Sequence, residues 1–433
     1  MLNQLNILVL HSLGDPKKSA YFLPKHVFML EKYCPENNYL YHDVALPLPE
    51  YIKRTEFDLI LLDVTFLASR WLPLKIFLKL KEDYSFIKDS NSVKVTFPQD
   101  EYDHSEILDD WMVDWGIDIV YSVISDNWNI LYPKFHKIGC IKLAYTGYID
   151  SSLIDFPRKP FNLRTIDLGY RARELLPYFG RVGKIKSSIA KDVLEKVSHL
   201  TGLNVDIAVG EKATFHGVAW LEFINNSKFT LGSNSGSSLL DPQGKIQKKV
   251  KQFLLEKPKA SFDEVEKYCF PGEDSKWEFT AISPRVIEAA LLGSCQVLVE
   301  GKYSDLLEPW KNYIPIKADA SNWDDVYLAM KDHMLVQGMI AETRIKLMDI
   351  KELRAEERSR TIISDALLFH ARKKIKSSTK EVHAALNQYK AEMHSGMYER
   401  VWFLRDCRQR IIRGLDRYPH IKNFVRELYY KFL

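Results

Sequence analysis

The residues with the clearest chemical pattern lie in Phe279-Thr280-Ala281-Ile282-Ser283-Pro284-Arg285-Val286-Ile287-Glu288-Ala289-Ala290, closed by Gly293 and the apolar run Gln296 to Val299. Ser283 suits an N-cap and Pro284 the first helical position, where a missing N–H costs nothing. Arg285 and Glu288 are three apart and therefore share one face of the first turn. Helix N–H groups beside an arginine suit a phosphate. A carboxylate one turn on can accept two hydroxyl hydrogen bonds from a vicinal diol. Phosphate and ribose together describe a nucleotide. Two other groups could take part in the same chemistry. Arg171, Arg173 and Lys186 are placed by the pattern at a strand end and the start of the next helix, which is the ligand edge of a parallel sheet. Gly232-Ser233-Asn234-Ser235-Gly236-Ser237-Ser238 follows a strand and offers N–H and hydroxyl donors, above all at Ser235, Gly236 and Ser237. A proton acceptor is needed for an attacking hydroxyl. Asp100, Glu101 and His104, just after a predicted strand, and His11, at the end of the first one, are the candidates.

The elements that must position these residues read as two alternating α/β units. Short apolar runs at 6–10, 39–44, 58–64, 92–97, 118–123 and 140–144 are predicted strands, spaced by helix-length segments. That rhythm argues a parallel sheet covered on both faces. No GxGxxG follows the first strand, which argues against a nicotinamide or flavin site there. Residues 150–163, with Pro157 and Pro160, read as a linker. A second unit follows, with strands at 165–168, 205–209, 228–231 and 296–300 and helices at 185–200, 220–225 and 283–292. Residues 239–276 interrupt the rhythm and read as an insertion. From Trp323 the pattern is helical. The expected division is 1–155, 164–335, and a helical basic extension over 336–433.

Ser283 to Ala290 followed by Gly293 resembles the donor-binding segment of GT-B-fold glycosyltransferases, most closely the bacterial "glycosyl transferases group 1" proteins of surface-polysaccharide synthesis. Further similarity lies in Gly169-Tyr170-Arg171-Ala172-Arg173 with Gly180 and Lys186, in Trp220-Leu221-Glu222-Phe223 leading to the Gly232–Ser238 run, and in Tyr313-Ile314-Pro315-Ile316 with Ser321-Asn322. The resemblance implies two Rossmann-like domains facing a cleft. It implies transfer of a sugar from a nucleoside diphosphate sugar to a lipid-linked or polysaccharide acceptor in cell-surface glycan synthesis. Glu288 would bond the ribose, Arg171, Arg173 and Lys186 would neutralise the diphosphate, and His216 would sit by the nucleobase. Many retaining relatives carry a second acid eight positions before Glu288, where this chain has Thr280. The competing reading is a non-catalytic carbohydrate- or membrane-binding protein on a degenerate body of the same fold.

Bulk properties bound these readings. The chain has 433 residues, enough for two or three domains, and is 46% hydrophobic and 27% charged, as soluble globular proteins are. Five scattered cysteines without a CxxC pair argue against a disulfide framework or zinc site. Asp100-Glu101 is no DxD metal motif, so metal independence and no cofactor beyond the nucleotide-sugar substrate are expected. No leader and no apolar run of spanning length is read, which sets the expected location in the cytoplasm. From Ala371 onward, basic residues outnumber acidic ones by more than two to one, with Arg400, Arg405, Arg408, Arg410, Arg413 and Arg417 among Trp402, Phe403, Ile411 and Ile412. Such a stretch suits an anionic membrane surface, hence a peripheral position on its inner face; the competing reading is that its apolar residues pack on the first unit, as the last helices of GT-B proteins often do. Nucleic acid is not an expected partner.

Overall fold

In a computed structural model the chain is described over residues 4–14, 22–210, 214–373 and 377–394, together with Ile375, Arg400, Phe403, Leu404 and Cys407. All six strands expected in the first unit form: β1 (Asn6–His11), β2 (Asn38–Asp43), β3 (Leu59–Leu62), β4 (Val93–Thr96), β5 (Ile119–Ser122) and β6 (Cys140–Leu143). They make one parallel sheet in the order β2-β1-β3-β4-β5-β6. β1 and β3 are apolar along nearly their whole length because both faces are covered, as parallel sheets require. The strand order reverses between β1 and β3, which opens a crevice at their carboxyl ends.

The second unit holds β7 (Ile166–Ala172), β8 (Val205–Val209), β9 (Ser227–Gly232), β12 (Cys295–Val299) and β13 (Ile314–Ile316), parallel in the order β13-β12-β9-β7-β8. Its reversal falls between β7 and β9. Alternation sorts β12 between two cores. Cys295, Val297 and Val299 face the layer that holds the Gly180–Val197 helix, while Leu298 faces the Val218–Asn225 and Pro284–Leu292 helices. The last of these helices buries Val286, Ile287, Leu291 and Leu292. Those four side chains contribute on the order of 6–12 kcal/mol before ordering costs. Two α/β sheets of Rossmann-like topology are thus present, as the GT-B resemblance implied.

One feature departs from the expectations and two extend them. The Gly232–Ser238 run is not an open loop. Its strand β10 (Ser235–Ser237) pairs antiparallel with β11 (Phe279–Ala281). Gly236 has φ 134°, and a Cβ there would lie 2.0 Å from the Phe279 carbonyl oxygen, so only glycine fits. The 239–276 insertion builds its own small core from Leu239, Val250, Val265, Cys269 and Phe270. It docks on the first unit, where the His104 N–H donates to the Asp241 carbonyl at 2.7 Å and the Asp241 N–H to the Tyr102 carbonyl at 2.9 Å. Residues 336–433 divide between the two units. Leu347 packs in the second, whereas Ala355, Ile362, Ala366, Val382, Ala385 and Tyr389 pack on the first. The chain recrosses beside the linker, with Ile149 and Leu353–Ala355 exchanging backbone hydrogen bonds. Arg405, Arg408, Arg410, Arg413 and Arg417 lie outside the described residues.

Candidate active site

The Pro284–Leu292 helix begins at the cleft. Ser283 adopts the extended N-cap backbone, but its side chain makes no capping bond. The entry is fixed from outside: the Ser304 hydroxyl accepts from the Ile282 N–H at 3.0 Å, and the Thr146 hydroxyl of the first unit donates to the Ile282 carbonyl. Gly293, at φ 74°, ends the helix as expected. Arg285 and Glu288 do share a face, and Trp220 lies against both. The Trp220 indole N–H donates to Glu288 Oε2 at 2.7 Å, and the Arg285 guanidinium sits 5.7 Å from the Trp220 ring centroid. Glu288 is buried, and desolvation pushes its pKa up, opposed by the Trp220 bond and the Arg285 charge.

The cations do not group as the sequence suggested. Arg171 lies within β7 rather than after it, and its guanidinium is committed locally. It bonds the Asp206 carboxylate at 2.7 Å and the Asp206 carbonyl at 2.8 Å, and lies 4.4 Å from the Phe223 ring centroid. Its carbonyl accepts from Arg285 Nη1 at 2.6 Å. Arg173 is exposed just beyond the strand. Lys186 is in the second turn of its helix and reaches Ser235 Oγ at 3.3 Å. Burial first, and then the neighbouring Arg285 charge, push Lys186 down to about 8, with Asp100 acting in the opposite sense. Among the described residues neither Lys186 nor Arg285 takes part in an ion pair. Lys186 and Arg285 are near enough for the Arg285 charge to act on Lys186, and the Arg171 carbonyl orients Arg285. Gly236 and Ser237 serve the β10–β11 pairing, the Ser237 hydroxyl donating to the Leu239 carbonyl at 3.0 Å. His216 is exposed. Its neighbour Phe215 lies tilted against Phe223 at 5.3 Å and receives the Arg171 guanidinium on its ring at 5.0 Å.

Of the four base candidates, Asp100 alone is exposed, at the tip of the loop after β4, with φ 47°, and it accepts from the Tyr102 hydroxyl at 2.6 Å. Glu101 is fully buried beneath β5. It accepts from the Val123 N–H at 2.8 Å, the Ser122 hydroxyl at 2.6 Å and the Tyr132 hydroxyl, and desolvation raises it to about 7. With its oxygens taken, it is removed from any acceptor. His104 places Nδ1 2.7 Å from Asp103, and its ring packs on Gly244 of the insertion, so its role is interdomain contact. His11 is buried, with Nδ1 3.9 Å from Asp43, and desolvation lowers its pKa.

A pair that sequence reasoning missed lies between them. His26 Nδ1 is 3.0 Å from Asp63 Oδ2. Asp63 caps the turn after β3, and its pKa is lowered by the bonds from His26 and Thr65 against the effect of burial. His26 is held by Phe97, edge-on at 5.5 Å, and by Tyr148, stacked at 6.4 Å. With Asp63 on Nδ1, the other ring nitrogen is the one available as a base. Only the β1/β3 reversal brings these residues together, since 37 positions separate them. His26 and Glu288 line one cavity of about 420 Å³ between the units, walled by Phe28, Met29, Leu153 and Ile287, with Lys25 bonded to Asp150 at 2.9 Å. Such a volume suits a small ligand.

No family model and no curated protein matches the chain. Several solved structures are similar over most of it at low identity. HepE of Anabaena, in complex with UDP and glucose, is 11% identical with a TM-score of 0.46, covering 83% of this chain and 99% of that one. An alpha-glucosyltransferase in complex with UDP and a 13-mer DNA is 8% identical with a TM-score of 0.46, covering 84% and 100%. Sucrose-phosphate synthase of Thermosynechococcus elongatus is 11% identical with a TM-score of 0.44, covering 84% and 99%.

Proposed function

We propose that this chain is a glycosyltransferase that moves a sugar from a nucleoside diphosphate sugar to a hydroxyl of a lipid-linked or polysaccharide acceptor in cell-surface glycan synthesis. The observation that carries the reading is the pair Lys186 and Arg285. Two neighbouring cations repel each other, and Lys186 is depressed to about 8 by burial and that repulsion. A diphosphate between them would remove the cost. Glu288, one turn beyond Arg285, would take the ribose hydroxyls after releasing Trp220.

The chemistry follows from these positions. As the acceptor oxygen bonds the anomeric carbon, the bond from that carbon to the phosphate oxygen breaks, and its electron pair stays on the diphosphate. Lys186 and Arg285 stabilise that growing charge, which lowers the barrier more than it strengthens ground-state binding. The acceptor proton passes to His26, whose imidazolium Asp63 stabilises, and a single attack on the face opposite the departing phosphate would invert the anomeric centre. In this reading phosphate neutralisation needs no metal, and transfer that survives EDTA is its check. One observation favours the non-catalytic alternative: Trp220 already occupies Glu288. A thermal-shift panel of nucleoside diphosphates separates the two. Stabilisation by one or more of them, lost in Lys186→Ala/Arg285→Ala, supports the transferase, and indifference to all of them ends it.

A further inference from the structure

Three arginines are buried among the described residues, and two of them are satisfied by backbone. Arg70 donates to the carbonyls of Leu67, Gln99, Asp100 and Asp103 at 2.8 to 3.1 Å. Arg164 donates to those of Lys159, Ser227 and Leu292 at 2.6 to 3.1 Å. Arg358, on the Ala355–His370 helix and only 6% exposed, is different. Its Nε and Nη2 are sealed from solvent without a hydrogen-bond partner, and among the described residues it takes part in no ion pair. The guanidinium lies 3.8 Å from the Tyr121 ring centroid and 5.8 Å from that of Tyr148. Asp365, two turns on along the same helix, is already taken by the Tyr121 hydroxyl and by Lys142, each at 2.6 Å.

The two atoms without partners share one edge. Nε–H and one Nη2–H of a guanidinium point the same way, spaced to meet two oxygens of a carboxylate or a phosphate. Aromatic rings hold the faces of the group and leave that edge open. A desolvated cation given neither carbonyl nor carboxylate is costly to keep, and an anion on that edge would relieve the cost. Position links the edge to the chemistry. Tyr148 contacts Arg358 and also stacks on His26, with ring centroids 6.4 Å apart. Tyr148 and Ala355, one turn before Arg358, both line the cavity that His26 lines. Tyr148 is half-buried and its hydroxyl accepts from the Tyr145 N–H at 3.1 Å, a single contact to break if the ring turns aside.

We propose that Arg358 is the receptor for an oxyanion on the acceptor, gripped by Nε and Nη2 together, which turns the attacked hydroxyl toward His26. The link to an acceptor rests on the transferase reading, whereas the anion site stands on the unpartnered edge. A lipid-linked acceptor would supply a phosphate, and a polysaccharide acceptor the carboxylate of an acidic sugar.

The test is thermal shift of the full chain carrying Lys186→Ala/Arg285→Ala, which removes the proposed diphosphate site. Phenyl phosphate or D-glucuronate is titrated against potassium chloride of equal ionic strength. At least one of the two should raise the melting temperature saturably above the chloride control, since it binds the folded state alone. A response to phenyl phosphate only marks a phosphate on the acceptor, and a response to glucuronate only marks a carboxylate. Arg358→Lys keeps the charge but loses the two-pronged edge, and should weaken half-saturation by roughly tenfold or more. Arg358→Met should abolish the response, and Arg372→Met, exposed at the end of the same helix, should retain it. If Arg358→Met does not fold, Arg358→Lys carries the comparison. Melting curves that coincide in phenyl phosphate, glucuronate and chloride would leave Arg358 a packing residue on Tyr121 and overturn the proposal. A response of undiminished affinity in Arg358→Lys, or one that survives Arg358→Met, overturns it as well. Nucleoside diphosphate binding is read on the wild-type chain and anion binding on the double variant, so the two readings can fail independently.

Discussion

Nucleoside diphosphate affinity should fall as the pH rises from 7 to 9.5, and Lys186 should be the cause. The Lys186 ammonium, desolvated and beside Arg285, titrates at about 8 in the free protein. A bound diphosphate supplies the missing counter-charge and returns the group toward its ordinary range near 10.5. The bound state therefore holds more protons than the free state between these limits, so binding weakens with rising pH. With full recovery, the association constant drops roughly thirtyfold between pH 7 and 9.5, equivalent to about 2 kcal/mol. Isothermal titration calorimetry in buffers of different ionisation enthalpy reads both the affinity and the proton taken up. Two variants sharpen the result. Lys186→Arg keeps its charge through the range and should bind with a nearly flat pH profile. Arg285→Ala should bind more weakly at pH 7, yet its pH break should move upward, because the second cause of the Lys186 depression is gone. A wild-type affinity constant from pH 7 to 9.5, or a Lys186→Arg profile that falls like wild type, would refute the reasoning.

Other expectations concern single residues. Glu288→Ala should weaken nucleotide binding by roughly 1.5–3 kcal/mol, the scale of a charge-assisted hydrogen bond, with a far smaller loss for a 2′,3′-dideoxy nucleotide; equal losses for both would remove Glu288 from the ribose. His26→Asn should lower kcat at least a hundredfold, within the usual range for a general base, while calorimetric nucleotide affinity holds. Arg171→Met should lower the melting temperature by a few degrees and change kcat little once folded, since the partly exposed Asp206 pair contributes about 1 kcal/mol or less; a kcat loss as large as that of Lys186→Ala would return Arg171 to the diphosphate. Truncation after His394 should leave a folded protein, whereas truncation before Ala371 should not. The longer cut strips Val382, Ala385 and Tyr389 from the first core, together with the Tyr389–His42 and His383–Asn38 contacts, which circular dichroism would report.

The strands were readable because parallel sheets buried on both faces need apolar runs, and β1, β3 and β12 are such runs in the sequence itself. The Pro284–Leu292 helix was readable for a similar reason: Pro284 and Gly293 carry conformational limits that work without help from the rest of the chain. Readings failed where a side chain's fate depends on a distant element. Glu101 looks like a solvated loop acid beside Asp100, but Ser122, Val123 and Tyr132 close over it. Gly236 looks like a phosphate-loop glycine, but β11 lies against it. The chain's return to the first sheet was expected from the GT-B resemblance alone, since the helical pattern from 355 to 394 does not say which surface its apolar stripe covers.

Arg171 shows how a partner on another strand changes what motif spacing suggests. Arginine at a strand end beside a lysine-bearing helix is a sensible diphosphate pattern, and Asp206 on the adjacent strand converts it to a structural pair. The same contact fixes the strand end so that the Arg171 carbonyl holds Arg285 at 2.6 Å. Arg285 in turn influences both Lys186 and Glu288. In the proposed reading, phosphate and ribose recognition are coupled through one guanidinium, whose position depends on a backbone acceptor and not on a carboxylate. A carboxylate in that place would have neutralised the site. A carbonyl orients Arg285 and leaves its charge for the ligand, which is what an anion site built from two like charges requires.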